Sequence, residues 1–125
     1  MSKNIVVQGC DFEIIPAGAE GLCNVIVTSI PSTKTKADNK NVYTSPLAIT
    51  VTYTDSTSAA FSGGGSGSIN STATKTKADN ESVMLENDSV IVHLVGVNPT
   101  TGVPIEDYPV TVKISDAGQN KVKGV

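Results

Sequence analysis

A chain of 125 residues is within the range of one domain and long enough to bury a modest core. It has no Trp, three Tyr and two Phe, while Val, Ile, Thr and Ser are abundant and no segment repeats with helical spacing, which predicts an all-β protein of about seven or eight short strands. The formal net charge of −3 and the absence of a basic block beyond two short Lys-Thr-Lys stretches argue against nucleic acid as a partner, and no run nears the roughly twenty apolar residues that span a bilayer.

Ile5 to Val7 starts a first strand, and Cys10 to Ile15 extends or follows it, with Phe12, Ile14 and Ile15 supplying apolar surface. Ile5 to Val7 is too short an apolar run for a secretory signal, so the expectation is a protein made in the cytoplasm without its own export signal. In that setting Cys10 and Cys23 are read as two thiols packed in a core or as metal ligands sooner than as a disulfide. Pro16 to Gly21 is a turn by its proline and glycines. From Leu22 to Ile30 the chain alternates, placing Cys23, Val25 and Val27 on one face, and Pro31-Ser32 ends that strand.

Thr33-Lys34-Thr35-Lys36-Ala37-Asp38-Asn39 then returns 41 residues later as Thr74-Lys75-Thr76-Lys77-Ala78-Asp79-Asn80. The apolar alternation downstream is kept as well: Ile49, Val51 and Tyr53 fall in register with Val90, Val92 and Leu94. Thr and Lys alternate as in a strand with two unlike faces, and Asp-Asn is turn material because both side chains bond their own backbone and tolerate the left-handed region. Each copy therefore reads as a β-hairpin with its lysines on an exposed face, in units of about 22–53 and 68–97 within a single domain, 1–125. Between them, Ser62-Gly63-Gly64-Gly65-Ser66-Gly67 reads as a loop or glycine-rich strand where backbones approach closely, in preference to an interdomain linker. Asn98 to Pro104 is a loop, Tyr108 to Ile114 a last alternating strand, Ser115 to Asn120 a turn, and Lys121 to Val125 a tail that pairs as a short edge or frays.

The second copy, from Gly67 to Val90, resembles the repeating core of PAAR and PAAR-like proteins. Asn80 stands at that family's turn, Ser82-Val83-Met84-Leu85 at its name-giving segment and Asp88 at its acidic position; the first copy has Ser45-Pro46-Leu47 where the acid would be. The resemblance spans roughly Leu22 to Val97. It implies a short tapered β-prism or cone of repeated hairpins with pseudo-threefold character. It further implies a partner, a trimeric β-helical spike that takes one tip per trimer at the distal end of a contractile phage tail, type VI secretion or related injection particle. The implied task is mechanical, perforating the target cell envelope.

Members of the family often hold a metal near the apex through histidines and a cysteine. Here Cys10, Cys23 and His93 are the candidate ligands for one zinc or iron ion, although no CxxC or HxH spacing supports them. A hydrogen-bonded surface histidine is the competing reading for His93, which alternation places with Ile91 and Val95, opposite Val90, Val92 and Leu94. Catalysis has no anchor: one histidine, no nucleophile elbow, no phosphate loop and no paired carboxylates predict a protein that is not an enzyme. The rival architecture is an immunoglobulin-like β-sandwich serving as a decoration or adhesion module of a phage particle, which would lack an internal repeat.

Overall fold

The computed structural model describes residues 3–15, 23–55, 61–78 and 80–124. Among these residues there is no helix, and the strands are β1 Lys3–Asn4, β2 Asp11–Ile15, β3 Asn24–Val27, β4 Lys36–Ala37, β5 Lys40–Asn41, β6 Leu47–Thr54, β7 Ser62–Ile69, β8 Lys77–Ala78, β9 Glu81–Ser82, β10 Ser89–Val97, β11 Pro104–Asp116 and β12 Lys123–Gly124. The all-β expectation holds. Twelve strands replace the expected seven or eight because each repeated hairpin is built of two-residue arms too short to register as separate periodic runs. The turn expected at Pro16 to Gly21 lies outside the described residues.

Both copies of the repeat form the hairpins that their sequences suggest. Lys36 pairs with Asn41 and Ala37 with Lys40; Lys77 pairs with Ser82 and Ala78 with Glu81. Asp38 and Asn39 have φ of 51° and 65°, and Asn80 has φ of 66°. Two successive left-handed residues suit a two-residue hairpin loop, whose twist matches that of its strands, and Asp and Asn adopt that conformation at low cost. A third, hairpin-like antiparallel ladder completes the set from residues distant in sequence: Lys3 pairs with Gly124 and Asn4 with Lys123. Of the tail, Lys123–Gly124 pairs as a short edge. Gln119-Asn120-Lys121-Val122-Lys123-Gly124 takes the place of Ser32-Thr33-Lys34-Thr35-Lys36-Ala37, and the unit continues at Lys3-Asn4-Ile5 as the first does at Lys40-Asn41-Val42.

The segment after each short hairpin meets its two counterparts in a closed triangle. Val6 N–H donates to Met84 O at 2.9 Å, Met84 N–H to Tyr43 O at 3.0 Å and Tyr43 N–H to Val6 O at 3.1 Å. Around it, Ile5 bridges Leu85, Val7 bridges Val42 and Thr44 bridges Val83. Two residues further on, Gln8 donates to Asn41 O, Ser45 to Ser82 O and Glu86 to Asn4 O. Each bond recurs under the same cyclic permutation, so the backbone has pseudo-threefold symmetry while its side chains differ. The turns that leave the triangle differ: Gly9 (φ 98°) and Asn87 (φ 76°) occupy equivalent places, and the cis Ser45–Pro46 bond stands at the third.

Each triangle segment leads into a long limb, β2 and β3, β6 and β7, or β10 and β11. These associate in the order β2-β11-β10-β7-β6-β3 as a nearly closed, antiparallel, barrel-like sheet. Strand alternation divides the apolar residues. The middle residues of the triangle, Val6, Tyr43 and Met84, join Leu47, Ile49, Val51, Tyr53, Val92, Leu94, Val110, Val112 and Ile114 in the barrel core. Their neighbours Ile5, Val7, Val42, Val83 and Leu85 join Ala37, Ala73 and Ala78 in a second, smaller core under the short hairpins. The triangle thus forms the floor between the two cores.

The glycine run is neither linker nor loop. It is the central strand β7, and its bare backbone is required: a Cβ on Gly63 would stand 2.3 Å from Val95 O, and one on Gly96 2.2 Å from Ser62 O. With so few aromatics, the far part of the barrel concentrates them. Phe61 and Tyr108 stack with centroids 4.2 Å apart, Tyr53 tilts against both, and the Tyr108 hydroxyl donates to Asp55 Oδ2 at 2.7 Å. Such pairs add about 0.5–1.5 kcal/mol beyond the area they bury. That hydrogen bond, with burial, also holds the Tyr108 phenol protonated well above its usual range.

Candidate docking face

The end of the molecule formed by the three short hairpins is the candidate functional surface, because it carries the repeated sequence and the triangle beneath it. Each hairpin is fastened to the triangle by an equivalent backbone bond, Val42 N–H to Thr35 O, Val83 N–H to Thr76 O and Ile5 N–H to Val122 O. The opposing carbonyls of the triangle segments are satisfied in three chemically different ways. Val42 O accepts from Ser32 N–H, Val83 O from the Ser71 hydroxyl and Ile5 O from Gln119 Nε2. Ser32 Oγ also accepts from Lys34 and Thr35 N–H, as Gln119 Oε1 does from Lys121 and Val122 N–H. A buried carbonyl left unpaired costs about 1–3 kcal/mol, so these partners, one backbone amide and two side chains, fix where each hairpin sits.

The acidic position of the repeat is structural in this chain. Asp88 is 1% exposed, and its Oδ2 accepts from Leu85 N–H at 2.9 Å and Thr72 N–H at 3.3 Å while Oδ1 accepts from the Thr72 hydroxyl. Leu47 and Cys10 occupy the equivalent places in the other two units, so the carboxylate is a lock specific to one unit. On the surface, Lys34, Lys36, Lys75, Lys77, Lys121 and Lys123 are all exposed at matching positions. Lys40 Nζ donates to Gly118 O at 2.8 Å and Lys121 Nζ lies 3.5 Å from Asp38 Oδ1, joining the first hairpin to the third unit. A shallow cleft of about 370 Å³ lies beside the first hairpin, lined by Gln8, Gly9, Lys36, Asn39, Lys40 and Asn41.

Cys10, Cys23 and His93 are not presented as one ligand set. His93 is exposed on the outer side of β10 beside Ile91 and Val95, as its alternation implies, with Nδ1 2.7 Å from Asp107 Oδ1. Both cysteines are free thiols packed against the barrel core. Cys23 Sγ lies 3.4 Å from both Thr54 N and Thr54 O, closing the end of the β3–β6 ladder with a side chain. Burial pushes the Cys10 thiol up to about 11, which disfavours the thiolate that metals bind. Among the described residues no three His, Cys, Asp or Glu side chains stand together as a metal set. An imidazole outside the barrel and thiols inside it do not fit one zinc or iron ion.

The third repeat unit was not recognised from sequence. Its only shared signal is Lys-x-Lys followed by a small residue, Lys121-Val122-Lys123-Gly124, with Asn4-Ile5-Val6 matching Asn41-Val42-Tyr43 at the other end of the chain. Comparison with protein-family models, curated proteins and solved structures returns no match. Among the described residues no helix is long and apolar enough to cross a membrane.

Proposed function

We propose that this chain is a structural, non-catalytic tip protein that caps a trimeric β-helical spike of a contractile phage tail or injection system and helps pierce the target cell envelope. The observation that carries the reading is the cyclic triangle of Val6, Tyr43 and Met84. A single chain that imitates threefold symmetry in its backbone can offer each subunit of a trimer an equivalent hairpin, which a monomer of ordinary topology cannot do. Such a cap covers the strand edges at the end of a β-helix, where unpaired backbone would otherwise invite aggregation. The barrel above it is held by long-range ladders and two apolar cores, a construction suited to transmitting an axial load. The PAAR-like resemblance of the second copy points to the same assembly, with the protein at the distal end of the particle. Size-exclusion chromatography with a trimeric β-helical spike is the test: co-elution as one species supports capping, and separate elution at micromolar concentrations contradicts it.

A further inference from the structure

We infer that the short-hairpin end recognises its partner by charge, and that the surface it fits is the end of a trimeric protein bearing a ring of carboxylates, an equivalent set on each subunit. This inference rests on the capping reading and adds the chemistry of the contact.

The lysines are segregated. The chain has nine Lys and Arg, all of them lysine, and eight lie in the three short-hairpin units: Lys3, Lys34, Lys36, Lys40, Lys75, Lys77, Lys121 and Lys123. Only Lys113 lies on the barrel. The acids run the other way. Asp38, Asp79 and Glu81 belong to the short hairpins, with Glu86 and the buried Asp88 in the turn beside the triangle, whereas Asp11, Glu13, Glu106, Asp107 and Asp116 are on barrel strands and Asp55 follows β6. The modest net charge of −3 therefore conceals a basic end and an acidic barrel.

Within the basic end the charges follow the pseudo-threefold pattern. Lys34, Lys75 and Lys121 are equivalent, as are Lys36, Lys77 and Lys123, and all are exposed. Among the described residues Lys34, Lys36, Lys75, Lys77 and Lys123 make no ion pair, and Asp38 is engaged by Lys121. Eight lysines against three acids in the short hairpins leave an excess of like charge that repels itself, a cost that an acidic partner would relieve while gaining orientation and a faster encounter. The cleft beside Lys36 and Lys40, with Asn39, Asn41 and Gln8, offers amines and amides of the kind that receive a carboxylate. Equivalent positions on three hairpins match a threefold ring more closely than a lipid surface or a nucleic-acid backbone, neither of which has that symmetry.

The test uses the full chain, a trimeric β-helical spike ending in one exposed glutamate per subunit, and the same spike with those glutamates changed to glutamine. Isothermal titration is run at low and high salt. The expected result is tight binding to the acidic spike, weakened by salt and by the Glu-to-Gln change. A combined Lys36→Gln, Lys77→Gln and Lys123→Gln variant should bind roughly tenfold more weakly, three exposed pairs at a few tenths to 1 kcal/mol each, and Lys113→Gln should bind as the native chain does. The three single variants, each with thermal unfolding measured alongside, separate lost contact from lost folding. Equal, salt-insensitive binding of both spikes overturns charge recognition and leaves capping intact; binding to neither overturns capping itself. Stronger binding to phosphatidylglycerol vesicles or duplex DNA than to the acidic spike, or salt-sensitive self-association through the acidic barrel, also overturns the inference.

Discussion

Met84 and Tyr43 stand 41 residues apart in sequence, the offset of the repeated heptapeptide, and the N–H of one donates to the carbonyl of the other at 3.0 Å. Residues made equivalent by the repeat are thus made neighbours by the fold. Val6 completes the relationship, and the three side chains enter the barrel core together from its floor.

Shortening any of them opens a cavity where both cores are anchored. Met84 is 0% exposed and among the largest fully buried side chains, so Met84→Ala is expected to cost about 2–5 kcal/mol. Urea unfolding checks this; a loss below about 1 kcal/mol would mean that the floor relaxes and is not the keystone described.

At Gly63 and Gly96 the strands β7 and β10 approach too closely for any side chain, and the atoms in the way belong to the backbone. Gly63→Ala is therefore expected to cost more than about 2 kcal/mol, whereas Gly67→Ala, whose Cβ would meet the Val92 side chain, its nearer methyl at 3.2 Å, costs less. Unfolding midpoints for the two variants decide; equal effects would contradict the close-packed register.

How much of this was legible in the sequence differs from residue to residue. The hairpin turns at Asp38-Asn39 and Asn80 could be read because turn chemistry is local, and the inward faces of β3, β10 and β11 because alternation is local. The third unit could not, since Gln119 replaces Ser32, Gly124 replaces Ala37 and the pairing strand lies at the opposite end of the chain. Grouping Cys10, Cys23 and His93 failed for a related reason. Alternation within β10 sets His93 opposite Val90, Val92 and Leu94, but it does not say how two thiols from distant parts of the chain lie relative to it.

The tail gives a direct check on the third unit. Deleting residues 121–125 removes Val122 O, the acceptor of Ile5 N–H, and uncovers the small core containing Ile5 and Val7. The expected outcome is a fall of several degrees in the unfolding temperature and loss of hydrogen-exchange protection at Ile5 and Val6. A tail that only frayed would leave both unchanged.

Cys10 supplies a pH signature. Burial raises its pKa from 9.0 to about 11, so the folded protein keeps a proton that the unfolded chain releases first. Its contribution to stability is present below about pH 9 and lost as pH rises toward 11. Iodoacetamide at pH 8 is expected to label native Cys10 far more slowly than Cys10 in urea; equal rates would place the thiol in solvent.

Metal addition provides a further check, since the three candidate ligands are split between the outside and the inside of the barrel. Stoichiometric zinc or iron is expected to leave the unfolding temperature unchanged, and Cys10→Ser with His93→Ala to leave metal content unchanged. One tightly held ion per chain, lost in that variant, would overturn the placement.

Native mass spectrometry of the chain mixed with a trimeric β-helical spike tests the central claim most directly, because mass alone counts the partners. One chain bound to three spike subunits, with no higher occupancy at excess chain, is the result expected of a monomer that carries the threefold pattern within itself. Three chains per trimer, or none, would contradict it.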